Sequence, residues 1–263
     1  MEAAGIAQPG RAARAMYAAL GTSLVEFLWL SLAGRRALRD VRIDGASVKA
    51  WRDALGRGRG VVVAASHTGN WDLAACAIAQ DVELAVVTKR LRVRWLDRLW
   101  QGTRAAQGVR LVDAAGAVPA VRAMLARGGA VAMMIDQVPA SARHAVTVDF
   151  LGRPALVDRG PAALAAACAA PLVVAVSRRL SDGTHRLYVL DVLQPPVRPG
   201  PDWVRTATAA ATLALDAFVR EHPSQWLWLH RRWKRLDPAP AEAMLASPCR
   251  TPSSSPDEAS RAA

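Results

Sequence analysis

Two residue pairs in this chain have the types and spacing for acid–base chemistry. The better placed lies in Val61–Asp72, which reads VVVAASHTGNWD. His67 follows a short apolar run and precedes Asp72 by five residues. On one continuous helix that offset turns about 140° at 3.6 residues per turn, and the two side chains diverge. A loop at His67-Thr68-Gly69 and a helix capped by Asn70 change this. Asp72 then falls in the first helical turn, where the helix dipole favours an acid, and can reach back to the imidazole. Asp72 would fix the tautomer of His67 and stabilise its cation, and His67 would take the proton of an attacking alcohol. No GxSxG turn occurs, so a covalent serine intermediate is not suggested. Spacing alone is a weak signal, because His144 and Asp149 repeat it. They stand before and within AVTVDF, a strand-like run, where an odd separation points two side chains to opposite faces. His144 is therefore read as structural.

The elements around His67 predict an α/β fold. Val61–Ala65 reads as a buried strand, Trp71–Gln80 as a helix, Glu83–Thr88 as a strand and Leu91–Gln107 as a helix. A helix over Val118–Arg127, a strand over Ala130–Ile135 and a helix over Arg159–Ala169 continue the alternation. Strands at Leu172–Ser177 and Arg186–Leu193 and a helix at Trp203–Arg220 complete it. Such alternation predicts a central, mostly parallel or mixed sheet flanked by helices, with sites at the carboxyl ends of strands. GRGRG at Gly56–Gly60 precedes its strand rather than following it, so it reads as a turn and not a dinucleotide loop.

At the N-terminus, Ala15–Gly34 lacks Lys and Arg and is mostly apolar, close to the ~20 residues that cross a bilayer. Glu26 in its middle opposes a spanning helix by roughly 2.5–3.5 kcal/mol. The run therefore spans the membrane, lies in it, or packs on the domain as a soluble helix. Arginines 35, 36, 39 and 42 follow it, and if it spans, their positive-inside bias keeps the main domain cytoplasmic. This gives a tail and membrane-associated helix over 1–39, a main domain over 40–236, and a Pro/Ser/Ala-rich disordered tail over 237–263.

The net charge is +12, with 34 basic residues of which only three are lysine, and nine Trp against two Tyr and three Phe. A basic balance favours nucleic acid, anionic lipid or acidic proteins. No helix-turn-helix, finger or RNP pattern appears, which speaks against nucleic acid. Trp with Arg suits an anionic membrane surface. Arg90, Arg94 and Arg98 form a stripe beside Leu91, Trp95 and Leu99: either a solvated face over a core stripe or a membrane-surface helix. His230, Arg231 and Arg232, flanked by Trp226, Trp228 and Trp233, could bind phosphate, anchor at an interface or close the domain. Scattered cysteines (Cys76, Cys168, Cys249) support neither a disulfide framework nor a thiolate zinc site, and no metal or redox cofactor is implied.

Four segments, in order, resemble one family. SHTGNWDLAA resembles the HxxxxD/E box of the glycerolipid acyltransferase superfamily, and is especially similar to the lipid A late (lauroyl/myristoyl) acyltransferases. WLDRLWQGTRAAQGVRLV resembles that family's second block, with Arg104 at its arginine position. MMIDQVPASARHAVTVDFLGRPALVDRGPAALAAACAAPLVVA resembles its third, with Asp136 at the acidic position. SQWLWLHRRWK resembles its closing signature. Ser141-Ala142-Arg143 stands where the family has a glycine, and the N-terminal region looks shortened. The resemblance implies transfer of an acyl group from an acyl carrier protein or coenzyme A thioester to a hydroxyl of a lipid A precursor-like acceptor. It also implies the cytoplasmic side of a bacterial inner membrane. Within it, His67 and Asp72 are expected to be catalytic, and Asn70, Arg104, Asp136, Arg231 and Arg232 to bind substrate. The alternatives are a lysophospholipid, ornithine-type lipid or other glycolipid acceptor, or a catalytically inactive lipid-binding relative.

Overall fold

The structure is a computed structural model that describes residues 1–233. The tail expected over 237–263 lies outside the described residues. Seven strands form the main sheet: β1 (Val41–Ile43), β2 (Val61–Ala65), β3 (Leu84–Thr88), β4 (Arg110–Asp113), β5 (Ala130–Met134), β8 (Leu172–Arg179) and β9 (His185–Leu193). Their order is β1-β9-β8-β2-β5-β3-β4. β8, β2, β5, β3 and β4 run parallel; β9 turns back antiparallel to β8 and pairs in parallel with β1. A separate hairpin pairs β6 (Ala145–Phe150) with β7 (Arg153–Asp158). The fold is α/β with a mixed, mostly parallel sheet between helices, as the alternation of elements predicts.

β2 is central because it is apolar on both faces. Val62 and Ala64 face one core, shared with α5 (Val118–Ala126), α6 (Gly160–Cys168) and α7 (Pro201–Glu221). Val61 and Val63 face the other, shared with Trp51 and Ala54 of α2 (Gly45–Leu55) and bordered by Ala75 and Ile78 of α3 (Trp71–Ile78). The period-2 alternation of a strand thus builds a three-layer sandwich. His144 ends a short 3-10 turn (Ala142–His144) just before β6, outside the strand expected to carry it, and Asp149 lies within β6; both are exposed.

The N-terminal helix, α1 (Pro9–Ala33), packs on this domain. Phe27 and Leu30 are 1% and 0% exposed and share a core with Leu38, Val41, Leu73, Cys76 and Val109. The opposite face is apolar and open: Tyr17, Leu24, Val25, Leu28, Trp29 and Leu32 are all exposed. By length and composition, Pro9–Leu38 could cross a membrane. α4 (Arg94–Ala106) lies beside it, with Trp100 stacked on Phe27 at 4.1 Å.

α4 begins at Arg94, not at Leu91. Asp97 accepts the Leu91 N–H at 2.9 Å and bonds Arg90 at 3.2 Å, which bends the preceding segment back over the first turn. The helix buries polar residues beside half-buried Leu96 and Trp100 and leaves Arg94 and Arg98 exposed. Asp97, Gln101 and Thr103 are buried, whereas Leu91, Trp95 and Leu99 are exposed. The reading of that apolar stripe as a core stripe is corrected.

Candidate active site

Beyond β2 the chain turns through Ser66-His67-Thr68-Gly69 before Asn70 opens α3. The turn requires glycine. Gly69 has φ +52°, and a Cβ there would sit 2.6 Å from the Ser177 carbonyl oxygen. The loop is strapped from both sides. Thr68 Oγ1 accepts the Ser177 N–H at 3.1 Å, the Gly69 N–H donates to the Gln225 carbonyl at 2.7 Å, and the Leu227 N–H to the His67 carbonyl at 2.9 Å.

The imidazole is oriented by Asp136, which corrects the pairing expected with Asp72. Asp136 Oδ1 lies 2.9 Å from His67 Nδ1, while Oδ2 accepts the His67 backbone N–H at 2.7 Å and the Trp226 indole N–H at 2.9 Å. The cause is sheet register. Ala65 of β2 pairs with Met134 of β5, so continuing the ladder two residues brings His67 opposite Asp136. Asp136 is fully buried, and burial alone would raise its pKa. The charge on His67 and the three N–H donors outweigh that and hold the carboxyl below its ordinary range. An ionised Asp136 places the ring proton on Nδ1 and leaves the Nε2 lone pair free to take a proton.

Asp72 is engaged elsewhere. Its Oδ1 accepts Arg104 Nε at 2.7 Å and also Arg104 Nη2. Burial pushes the Asp72 carboxyl up, and the Arg104 guanidinium pulls the other way. The pair fixes Arg104 from α4 beside the turn. Asn70 is 3% exposed, and its amide is spent on structure rather than on the cleft. Oδ1 caps α3 at the Leu73 N–H (3.2 Å), and Nδ2 donates to Glu26 Oε2 (2.9 Å) and to the Ser23 carbonyl (3.3 Å).

The closing basic group divides into three roles. Arg232 is 2% exposed and donates to the carbonyls of Gln137 (2.8 Å) and Leu156 (2.6 Å), with Phe150 beneath it. Burial lowers its pKa to about 10. It ties the β6–β7 hairpin to the chain after β5, so the expected substrate contact is corrected to a structural one. Arg231 is exposed and lines none of the cavities around His67. His230 lies against the dyad, its ring 4.5 Å from that of His67. Burial, and after it the charge of His67, keep its pKa below the usual imidazole value. Its Nε2 is buried without a hydrogen-bond partner among the described residues.

His67, Asp136 and His230 bring ligating atoms within 4.8 Å of one another. The donor set does not suit a metal well. Both Asp136 oxygens already accept N–H groups, and His67 offers Asp136 a protonated nitrogen rather than a lone pair.

His67 opens on a cleft lined also by Trp71, Lys89, Arg90, Arg104 and His230. Behind it, on the α2/α3 face of the sheet, lies an apolar chamber walled by Val63, Ala75, Ala132, Ala175 and Val189, with Trp51 in its lining. Cleft and chamber are neighbours that share Trp71, Val86, Arg104 and Met134 in their walls. The chamber is narrow, with a cavity volume of about 110 Å³.

Residues 6–235 match the family of bacterial lipid A biosynthesis acyltransferases. The chain belongs to that family. It is also 29% identical over 189 residues to a phosphatidylinositol mannoside acyltransferase of Mycobacterium tuberculosis, covering 68% of this chain and 56% of that protein. The like-named protein of Mycolicibacterium smegmatis is 28% identical over 189 residues, covering 68% and 59%. The chain thus matches little more than half the length of these relatives.

Proposed function

We propose that this family member is an acyltransferase that moves a fatty acyl group from a thioester to a hydroxyl of a membrane glycolipid, with His67 as general base. The observation that carries the reading is the placement of the His67–Asp136 pair, at the cationic cleft, next to an apolar chamber that shares Trp71 and Arg104 with it. A thioester of a fatty acid needs both: dry space for the chain and a base at its carbonyl. His67 Nε2 takes the proton of the acceptor hydroxyl as its oxygen attacks the thioester carbon. The C–S bond then breaks, the ester forms, and the imidazolium returns the proton to the leaving thiolate. Asp136 stabilises the imidazolium, as the acid of a triad does. Arg104, held by Asp72, presents positive charge where the carbonyl oxygen becomes anionic. Lys89 and Arg90 at the rim suit the phosphate next to a pantetheine arm, which acyl carrier protein and coenzyme A have in common.

The family description favours a lipid A precursor-like acceptor, and the mycobacterial relatives favour a mannosylated phosphoinositide; both are sugar-bearing lipids. The exposed apolar faces of α1 and α4 support docking at a membrane with α1 lying in the interface rather than across the bilayer, since Phe27 and Leu30 are buried in the domain. The deciding experiment is lipid mass spectrometry of cells with and without the gene, paired with purified protein, acyl donor and each acceptor class. Loss of one acylated glycolipid in cells and its formation in vitro is the expected result. Acyl transfer to neither acceptor class would refute the reading.

A further inference from the structure

Glu26 is the only acid in α1, and it lies among exposed Leu24, Val25, Leu28 and Trp29. A carboxylate there is costly if the helix meets lipid. Docking does not require it, because Phe27 and Leu30 are already buried and Phe27 stacks on Trp100. Its side chain turns inward, 18% exposed, and both oxygens are used. Oε1 meets Arg179 Nη2 at 3.0 Å and His185 Nε2 at 3.1 Å, on β8 and β9. Oε2 accepts Asn70 Nδ2 at 2.9 Å. The same Asn70 amide caps α3 through its oxygen. A single side chain therefore links the helix with the outward apolar face to the turn that carries His67 and to the first turn of α3, where Asp72 holds Arg104.

We infer that Glu26 is a positioning residue: through Asn70 it holds the His67–Asp72 turn in its working geometry and makes turnover depend on the seating of α1. The inference rests on the acyltransferase reading for its kinetic consequences. A displacement of the turn by about 1 Å would cost on the order of 10²-fold in rate. A glutamine at 26 keeps an amide oxygen for Asn70, whereas an alanine leaves Nδ2 with only the Ser23 carbonyl.

The experiment uses the full chain on anionic vesicles. Glu26→Ala should lower kcat about 10–100-fold, with donor KM near wild type and vesicle flotation unchanged. Glu26→Gln should recover most of the loss. Glu26→Ala combined with Asn70→Ala should be no slower than the slower single variant, because both break one link. Hydrogen exchange should quicken at Leu73 in Glu26→Ala but not in β2. Wild-type kcat in Glu26→Ala, additive losses in the double variant, or a fall in flotation that matches the fall in turnover would each overturn the inference. If the wild-type protein transfers no acyl group, the acyltransferase reading fails instead. The exchange measurement still decides the link: unchanged protection at Leu73 overturns it and faster exchange upholds it.

Discussion

His67 and Asp136 act as one unit, so their removal should cost similar amounts. His67→Ala should lower acyl transfer by roughly 10²–10⁴-fold, the usual span for a general base. Asp136→Asn should come close to it, because the imidazole loses the group that fixes its tautomer. His144→Ala, exposed just before the hairpin, should leave turnover unchanged. Steady-state kinetics with circular dichroism as a folding control test all three, and full activity in Asp136→Asn would remove that residue from the mechanism. His230 makes a separate prediction about stability. Burial, then His67, lowers its folded pKa, so the unfolded chain, titrating near about 6.5, takes up the proton first. Its contribution to stability is complete above that value and is lost as pH falls towards the folded value. Urea melts across this window should be flatter for His230→Gln than for wild type. Parallel curves would show that His230 is not held neutral by the fold.

At the scale of elements, the chamber makes its own prediction. It runs beside α3 from Trp71 at the site to Ile78, seven residues or about 10 Å along the helix axis. Trp51 of α2 and Leu84 at the start of β3 also line it, at the end away from His67. If an acyl chain fills this space, Trp51→Ala should shift the preferred donor to longer chains and Ala75→Phe to shorter ones. Competition between donors of different length, read by product mass, tests this; an unchanged length profile in both variants would move the chain elsewhere. The α2/α3 layer also shows how far the sequence could be read. The apolar runs of β2, β5 and β8 were legible because strands buried on both faces have no polar positions. The three and four residues of β1 and β4 carry too little pattern to register. α2 carries its signal in a cap and a short stripe: Asp44 accepts the Ala46 N–H, and Val48, Trp51 and Leu55 recur at helical spacing. His67, Asp136 and Arg104 were visible as residues, yet their pairing was not. Spacing in the chain suggested His67 with Asp72, but register between neighbouring strands decides which acid meets the ring. The exposure of the Leu91, Trp95 and Leu99 stripe was illegible for a related reason, since periodicity shows that a stripe exists and not which side the domain covers.

At the scale of the whole molecule, the open apolar face of α1 and the cationic excess of the chain should each respond to a different change. Substituting Leu28 and Leu32 on the open face of α1 with Glu should release the protein from vesicles in flotation assays while folding persists; retention of both variants would mean that another surface holds the membrane. The cationic excess concerns the donor. Acyl carrier protein and coenzyme A present the same phosphate next to the same pantetheine arm, so Lys89 and Arg90 at the rim cannot distinguish them. Range can. A net charge of +12 attracts an acidic carrier protein over a broad surface and raises its encounter rate. That attraction is screened as the Debye length shrinks to about 10 Å at 0.1 M salt. Coenzyme A meets only the few cations at the cleft, where screening acts on one small ligand. With the same acyl chain and acceptor, kcat/KM should therefore be higher with the carrier protein and fall more steeply with salt. Arg90→Gln should slow both donors by similar factors, because it removes the shared phosphate contact, and should leave the two salt slopes apart. Faster turnover with coenzyme A, or equal slopes, would assign the basic excess to the membrane surface alone and leave the chemistry at His67 untouched.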